Sequence, residues 1–152
     1  MKKIYHIIIV FMVIFIIILV ALYIKHQNKK TQMIYAYNYF YLLNFNVQLY
    51  YDEYMALPSS EFITSYLDHP ENEYIKNNFD LYYFPAGWDI KPKIKWHLVG
   101  FDHITKTFWC GRVGKLSKKI EMIDVMNQEY FHQRLSSTNQ NPINLAFSKD
   151  GQ

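Results

Sequence analysis

The chain has 152 residues, 51% of them hydrophobic and 18% aromatic, with one cysteine and a formal net charge of +3. That length fits one small domain, and a single cysteine excludes an internally bridged disulfide scaffold. The 14 Tyr and 11 Phe exclude disorder for most of the chain. The apolar content is unevenly placed: in residues 4–24 every residue except His6 is apolar.

Residues 7–24 (IIIVFMVIFIIILVALYI) carry no charge and no strongly polar side chain. Extended to residue 4, the run makes a helix of roughly 31 Å, the thickness of a hydrocarbon core. A cleavable signal peptide would also begin Met1-Lys2-Lys3. Its apolar region would be shorter, however, and a small-x-small site would precede Lys25. The reading is therefore an uncleaved transmembrane anchor over 4–24. Lys2 and Lys3 face Lys25, Lys29 and Lys30 across the span, so the positive-inside count is nearly tied. The three-residue N-terminal stub is assigned to the cytoplasm because it is too short to hold a domain. The remainder is then expected outside it, where Cys110 is either buried and reduced or in an intermolecular bridge.

Residues 25–57 contain neither Gly nor Pro, and Pro58-Ser59-Ser60 follows. Ala36, Phe40, Leu43, Val47, Tyr50 and Tyr54 recur at alternating steps of four and three, which places them on one helical face. Asn38, Asn44, Gln48 and Asp52 fall largely opposite. The spacing predicts that the membrane helix continues as an amphipathic helix packed on a sheet. Beyond it, FDLYYF at 79–84 is a short aromatic strand, with Pro85-Ala86-Gly87 and Lys91-Pro92 as punctuation. IKWHLVGF at 94–101 alternates, with Ile94, Trp96, Leu98 and Gly100 sharing a face. ITKTFWC at 104–110 is β-branched and aromatic, and Asp102-His103 makes the turn between these runs. A fourth strand or a helix follows in 120–135, with a strand near 120–125 as one choice. Residues 136–152, rich in Ser, Asn and Gln, read as a polar tail. The expected fold class is α+β: a long N-terminal helix, first transmembrane and then amphipathic, packed on a small antiparallel sheet. The expected segments are 1–3 cytoplasmic, 4–24 transmembrane, 25–57 amphipathic helix, 58–135 sheet headgroup and 136–152 tail.

The small net charge hides a partition. Residues 52–89 hold eight acids and one Lys, and residues 91–119 hold eight basic residues against Asp102. Such blocks either neutralise one another or meet a charged partner. A nucleic-acid track along the basic strands is the less favoured alternative. Little resembles chemistry. His97, His103 and Cys110 lack an orienting third group, and Cys110 reads as a small buried hydrophobe. His69-Pro70-Glu71-Asn72-Glu73 lacks metal-loop spacing, and no Gly-rich phosphate loop exists. No catalytic residue, metal or cofactor is expected, and the chain reads as a non-enzyme. The candidate partner-binding residues are Tyr37, Tyr41 and Phe45 on the amphipathic helix, and Lys91, Lys93 and Lys95 in the basic block.

The layout resembles a type IV pilin or pseudopilin. The apolar run 4–24, its continuation through Val47-Gln48-Leu49-Tyr50-Tyr51 and the exit at Leu57-Pro58-Ser59-Ser60 are similar to the pilin spine. Phe108-Trp109-Cys110-Gly111 resembles a Trp- and Cys-containing strand element of pilin headgroups. The resemblance implies a bacterial inner-membrane location, a periplasmic headgroup, and pilin or pilus-assembly proteins as partners. The chain departs from the family pattern in having no Gly before the apolar run, no acid within it and no second Cys. Those departures point to an unprocessed accessory protein rather than a filament subunit. A membrane-anchored immunity protein that captures a toxin is the competing expectation, and a tethered DNA receptor a weaker third.

Overall fold

The structure, a computed structural model, describes residues 2–91, 94–113, 123–126, 128–137 and 141–146. Helix α1 runs over Lys2–Tyr54, as the absence of Gly and Pro permits. The chain divides into two units, Met1–Ile34 and Tyr35–Gln152. In the first, the large apolar side chains from Ile9 to Ile24 are all exposed, and α1 is long and apolar enough to cross a membrane. An isolated apolar helix in water leaves that surface uncovered, whereas lipid covers it.

The second unit is built on a five-stranded antiparallel sheet. Strands β1 (Phe79–Lys91), β2 (Ile94–Asp102), β3 (Thr107–Gly111), β4 (Ile123–Met126) and β5 (Ile143–Ala146) lie in the order β4-β3-β2-β1-β5. Before β1 come helix α2 (Ser60–Leu67), a 3-10 turn at Pro70–Asn72 and helix α3 (Glu73–Asn78). Helix α4 (Gln128–Ser137) separates β4 from β5. This bears out an α+β chain with a long helix on an antiparallel sheet.

Side chains alternate across the sheet. The registers Leu81↔Gly100, Gly100↔Trp109 and Leu98↔Gly111 set one face, which receives α1. Ala36, Phe40, Leu43 and Val47 are buried there, as the stripe requires, and so are Asn44 and Gln48. The last two correct the expectation that they face solvent. The buried stripe is two residues wide because the sheet offers room at glycine. A Cβ at Gly111 would meet Asn44 Cγ at 2.6 Å, and one at Gly100 would meet Phe79 Cδ1 at 2.8 Å and Phe40 Cε2 at 2.9 Å. Asn44 Nδ2 in turn donates to the Arg112 carbonyl at 3.0 Å in the interior, satisfying two buried polar groups at once. A second core gathers Phe84, Trp88, Trp96, Val99, Phe108 and Cys110. Trp96 packs with Val99 and with Trp88, its partner across the strands, which corrects its expected place on the face of Leu98 and Gly100. Phe131 of α4 closes it, stacking on Phe108 at 4.1 Å and meeting Trp88 edge-on at 5.3 Å. Cys110 is fully buried, which leaves no access for an intermolecular bridge.

Four local features differ from expectation. The stripe continues to Tyr54, yet Tyr50 is only half-buried and Tyr54 is exposed, because α1 ends there and the chain turns away. Residues 60–67 and 70–78 are helical where no element was expected. Ser59 Oγ caps α2 by accepting from Phe62 N at 3.2 Å, and Ile63 and Leu67, one helical step apart, are buried. Strand β1 passes through Pro85-Ala86-Gly87 rather than stopping. A bulge between Tyr83 and Trp88 absorbs extra residues, and Gly87 supplies φ +75°. Finally, residues 143–146 are not tail. They form the edge strand β5, with Ile143 opposite Tyr83 and Asn144 opposite Tyr82. The expected strand near 120–125 corresponds to β4, and residues 120–122 lie outside the described residues.

Two outcomes test this packing. Gly111→Ala is expected to cost about 1–3 kcal/mol by overpacking, and Asn44→Ala about 1–3 kcal/mol by orphaning a buried carbonyl. Because the new methyl fits where Asn44 was, the double variant is expected to cost less than the sum. Urea unfolding of the full chain in detergent measures all three, and a neutral Gly111→Ala would contradict the close approach. The second concerns Tyr83, whose hydroxyl donates to the Pro58 carbonyl at 2.7 Å. Burial raises its pKa from 10.0 to about 12, so the folded state holds the phenol proton more tightly than the unfolded chain. That stabilisation is complete below pH 10 and is lost as pH climbs towards about 12. Tyr83→Phe is expected to flatten the alkaline limb of the stability curve, measured by denaturation across that window.

Candidate partner-binding surface

Tyr37, Tyr41 and Phe45 lie at successive i, i+4 positions of α1, so their side chains meet along one flank. Tyr37 stacks on Tyr41 at 6.0 Å, and Tyr41 stacks on Phe45 at 6.0 Å. The near end of this ladder is seated on the sheet, since Tyr37 meets the buried Trp109 ring edge-on at 6.0 Å. Tyr37 is 42% exposed and Phe45 37%. The register Trp109↔Val125 places Val125 of edge strand β4 on the same face, and Val125 is 51% exposed. Three rings and an edge-strand valine thus form a partly exposed apolar strip whose base is fixed. Rings held in this way lose little side-chain entropy on binding, which suits aromatic residues to interfaces.

Lys91 ends β1 and Lys95 lies in β2, opposite Asp89, while Lys93 lies outside the described residues. Lys91 and Lys95 thus lie on neighbouring strands of one hairpin rather than along a single strand. Lys95 is exposed, and its Nζ reaches the Ala86 carbonyl at 3.5 Å.

The titratable groups with catalytic potential have structural partners. His97 Nδ1 lies 3.1 Å from the Phe84 carbonyl, and His103 Nε2 lies 2.8 Å from Asp80 Oδ2. Asp102 is buried at the β2–β3 turn, accepting from Ile104 N at 2.9 Å and from the Thr105 hydroxyl. That arrangement is an Asx-type turn, and Lys106 completes it at φ +56°. The 69–73 segment forms the 3-10 turn and the start of α3, where Asn72 is buried and donates to the Tyr66 carbonyl at 2.8 Å. Among the described residues no group of three His, Cys, Asp or Glu side chains is placed to hold a metal ion.

Charge segregation survives folding. Asp52, Glu53, Glu61, Asp68, Glu71 and Glu73 are all exposed. Of these, only Asp68 makes an ion pair among the described residues, with Lys76 at 2.5 Å. Among the described residues, none of these six acids is paired with a cation of the 91–119 block. The 91–119 block instead turns partly inward: Arg112 is buried, with its guanidinium 4.7 Å from the Trp96 ring centre. Sequence reasoning missed Val125, whose exposure depends on which strand lies at the edge. It also missed the exposed corner at Tyr54 and Met55. Pro58, three residues beyond Met55, signals a nearby helix end without saying on which side of it the last aromatic residue falls.

No family model, curated protein or solved structure matches this chain.

Loss of the exposed rings should separate surface from core. Tyr41→Ser and Phe45→Ser are each expected to change stability by less than about 1 kcal/mol, whereas Phe40→Ala should cost about 3–5 kcal/mol. Tyr37→Ala is expected to red-shift tryptophan emission by uncovering Trp109. Thermal melts and emission spectra of the four variants check the set.

Proposed function

We propose that this chain is a single-pass membrane protein of pilin-like design. It serves as an accessory or minor component in the biogenesis of a type IV pilus or a related secretion or DNA-uptake machine. Its anchor sits in the bacterial inner membrane with the soluble unit on the periplasmic side. Its role is binding, not catalysis, and its partner is a pilin or an assembly protein. The observation that carries this reading is α1 itself. One helix holds an uninterrupted apolar stretch, and its residues 36–48 pack on an antiparallel sheet. The aromatic strip at Tyr37, Tyr41 and Phe45 is the surface assigned to the partner.

A second reading draws on the exposed acids. A membrane-anchored immunity protein that captures a basic toxin would present such a surface, because charge complementarity speeds capture and rejects wrong partners.

Deleting the gene in its source bacterium is expected to reduce pilus abundance, twitching or DNA uptake, and unchanged values in all three would end the pilus reading. A photo-crosslinker at position 41 is expected to trap a pilin or assembly protein. Recovery of a toxin instead would favour the second reading. An alkaline phosphatase reporter fused after Gln152 should be active if the soluble unit is periplasmic.

A further inference from the structure

The end of α1 forms a second surface, separate from the strip at Tyr37, Tyr41 and Phe45. Tyr50 lies with its ring centre 4.5 Å from that of Tyr54 and 4.7 Å from that of Phe62 in α2. The cluster is therefore cross-braced between two helices. Its outer members stay in solvent: Tyr54 is 57% exposed, Phe62 46% and Met55 65%. Three adjacent large apolar residues are costly to leave uncovered, and patches of this kind mark interaction sites.

Met55 adds an independent sign. It closes α1 with φ 51°, its N–H donating to the Tyr51 carbonyl at 2.7 Å. Glycine is the ordinary residue at such a left-handed helix end, and a long side chain there costs about 1 kcal/mol. Here that strain holds an apolar thioether out in water, beside two exposed rings. Strain retained without any gain in packing is a feature of binding surfaces. Methionine is also the side chain best able to adapt to a partner.

The rim gives the partner its sign. Glu53 and Glu61 flank the aromatic cluster in the chain and both are exposed. Hydrogen bonds from its own backbone N–H and from Ser59 hold the Glu61 carboxyl below the usual range, so it stays charged in mildly acid conditions. An anionic lipid surface would be repelled. Five cations of the second unit each have a contact within the fold. Lys76 pairs with Asp68, Lys95 with the Ala86 carbonyl, Lys106 with the Phe101 ring, Arg112 with Trp96 and Arg134 with Tyr130.

We infer that the corner formed by Tyr50, Tyr54, Met55 and Phe62, with Glu53 and Glu61 at its rim, docks a cationic segment of another protein. That segment carries Lys or Arg next to a large apolar side chain. The apolar anchor covers Met55 and the rings, and its cations meet the two carboxylates and the ring faces. This docking does not depend on the pilus reading, since it concerns a different surface and a partner defined by charge.

The test uses the full chain in nanodiscs of zwitterionic lipid, with binding to empty nanodiscs subtracted. The probe is a short fluorescent peptide of alternating Lys and Leu with a central Trp. A Glu-for-Lys peptide and a Ser-for-Leu-and-Trp peptide serve as controls. Anisotropy is expected to show binding of the first peptide alone, weakening as salt rises. Phe62→Ser and Glu61→Lys should each weaken it about tenfold. Glu71→Lys, which changes an exposed acid on the 3-10 turn, should change it less than about twofold. Met55→Gly separates docking from folding: it should raise the melting temperature while weakening peptide binding about fivefold. Equal losses for Glu71→Lys and Glu61→Lys would replace the site with a diffuse acidic field and overturn the proposal. So would equal binding of the Ser-substituted peptide, no binding at all, or sedimentation showing a dimer of this chain that Glu61→Lys dissolves.

Discussion

The soluble unit depends on a helix lying closer to a sheet than side chains ordinarily permit. Gly100 and Gly111 stand on adjacent strands, two pleats apart in register, and each removes the one atom that would hold α1 away. Phe40 fills the space above the first, and the Asn44 amide fills the space above the second. The amide matters more than a ring would at that point. The Arg112 carbonyl follows the end of β3, and Asn44 Nδ2 is its partner in the interior. A leucine of similar volume at position 44 would pack and still leave that carbonyl without its donor. Glycine on the strand and asparagine on the helix therefore form one device, and neither substitution alone is conservative.

Close packing on one face constrains the other. Strands β2 and β3 contribute Leu98, Gly100, Trp109 and Gly111 to the α1 side, so Val99, Phe108 and Cys110 must point the opposite way. That face needs its own cover, and α4 supplies it through Phe131. A sheet with two apolar faces has only its edges left for polar backbone. Strand β5 closes the β1 side with residues whose composition reads as tail. On the β4 side the edge remains, and beside it lie the Val125 side chain and the Tyr37–Phe45 ladder. Two clusters of exposed apolar surface thus lie where the architecture runs out of layers, at the β4 edge and at the end of α1.

Legibility from the sequence follows the range of the forces involved. The membrane-competent run, the Gly- and Pro-free helix and the 36–40–43–47 stripe are local periodic signals, and all are found. The meander through 94–111 was legible for the same reason. Asn44 and Gln48 were misassigned because periodicity assumes that polar means solvent. For Asn44, Gly111 on a strand more than sixty residues away makes the room, and the Arg112 carbonyl supplies the partner. Pro85 and Gly87 were misread because turn chemistry looks the same in a loop and in a bulge, and only the pairing of Trp88 with Trp96 distinguishes them. The ladder Tyr37–Tyr41–Phe45 needed only helical spacing to be named. Its partner Trp109 and its neighbour Val125 needed the strand order.

The tyrosines connect these points. Along α1 the residues flanking the buried stripe include Tyr35, Tyr37, Tyr39, Tyr41, Tyr50 and Tyr54, with exposures from partial to high. A phenol ring supplies packing area where the helix meets the sheet or a neighbouring ring, as Tyr39 does on Tyr74 at 4.4 Å. Its hydroxyl meanwhile keeps the outward end wet. Phenylalanine in the same places would enlarge the apolar patches, and serine would surrender the ring contacts. Tyr83 shows the opposite use. Buried, it carries its hydroxyl inward to the Pro58 carbonyl, tying the chain after α1 to the sheet and fixing where α2 begins. The same residue type thus sets the corner from inside, through Tyr83, and presents it to solvent, through Tyr50 and Tyr54. The exposed rings at that corner are therefore positioned by the core, and a partner that docks there meets a surface already arranged for it.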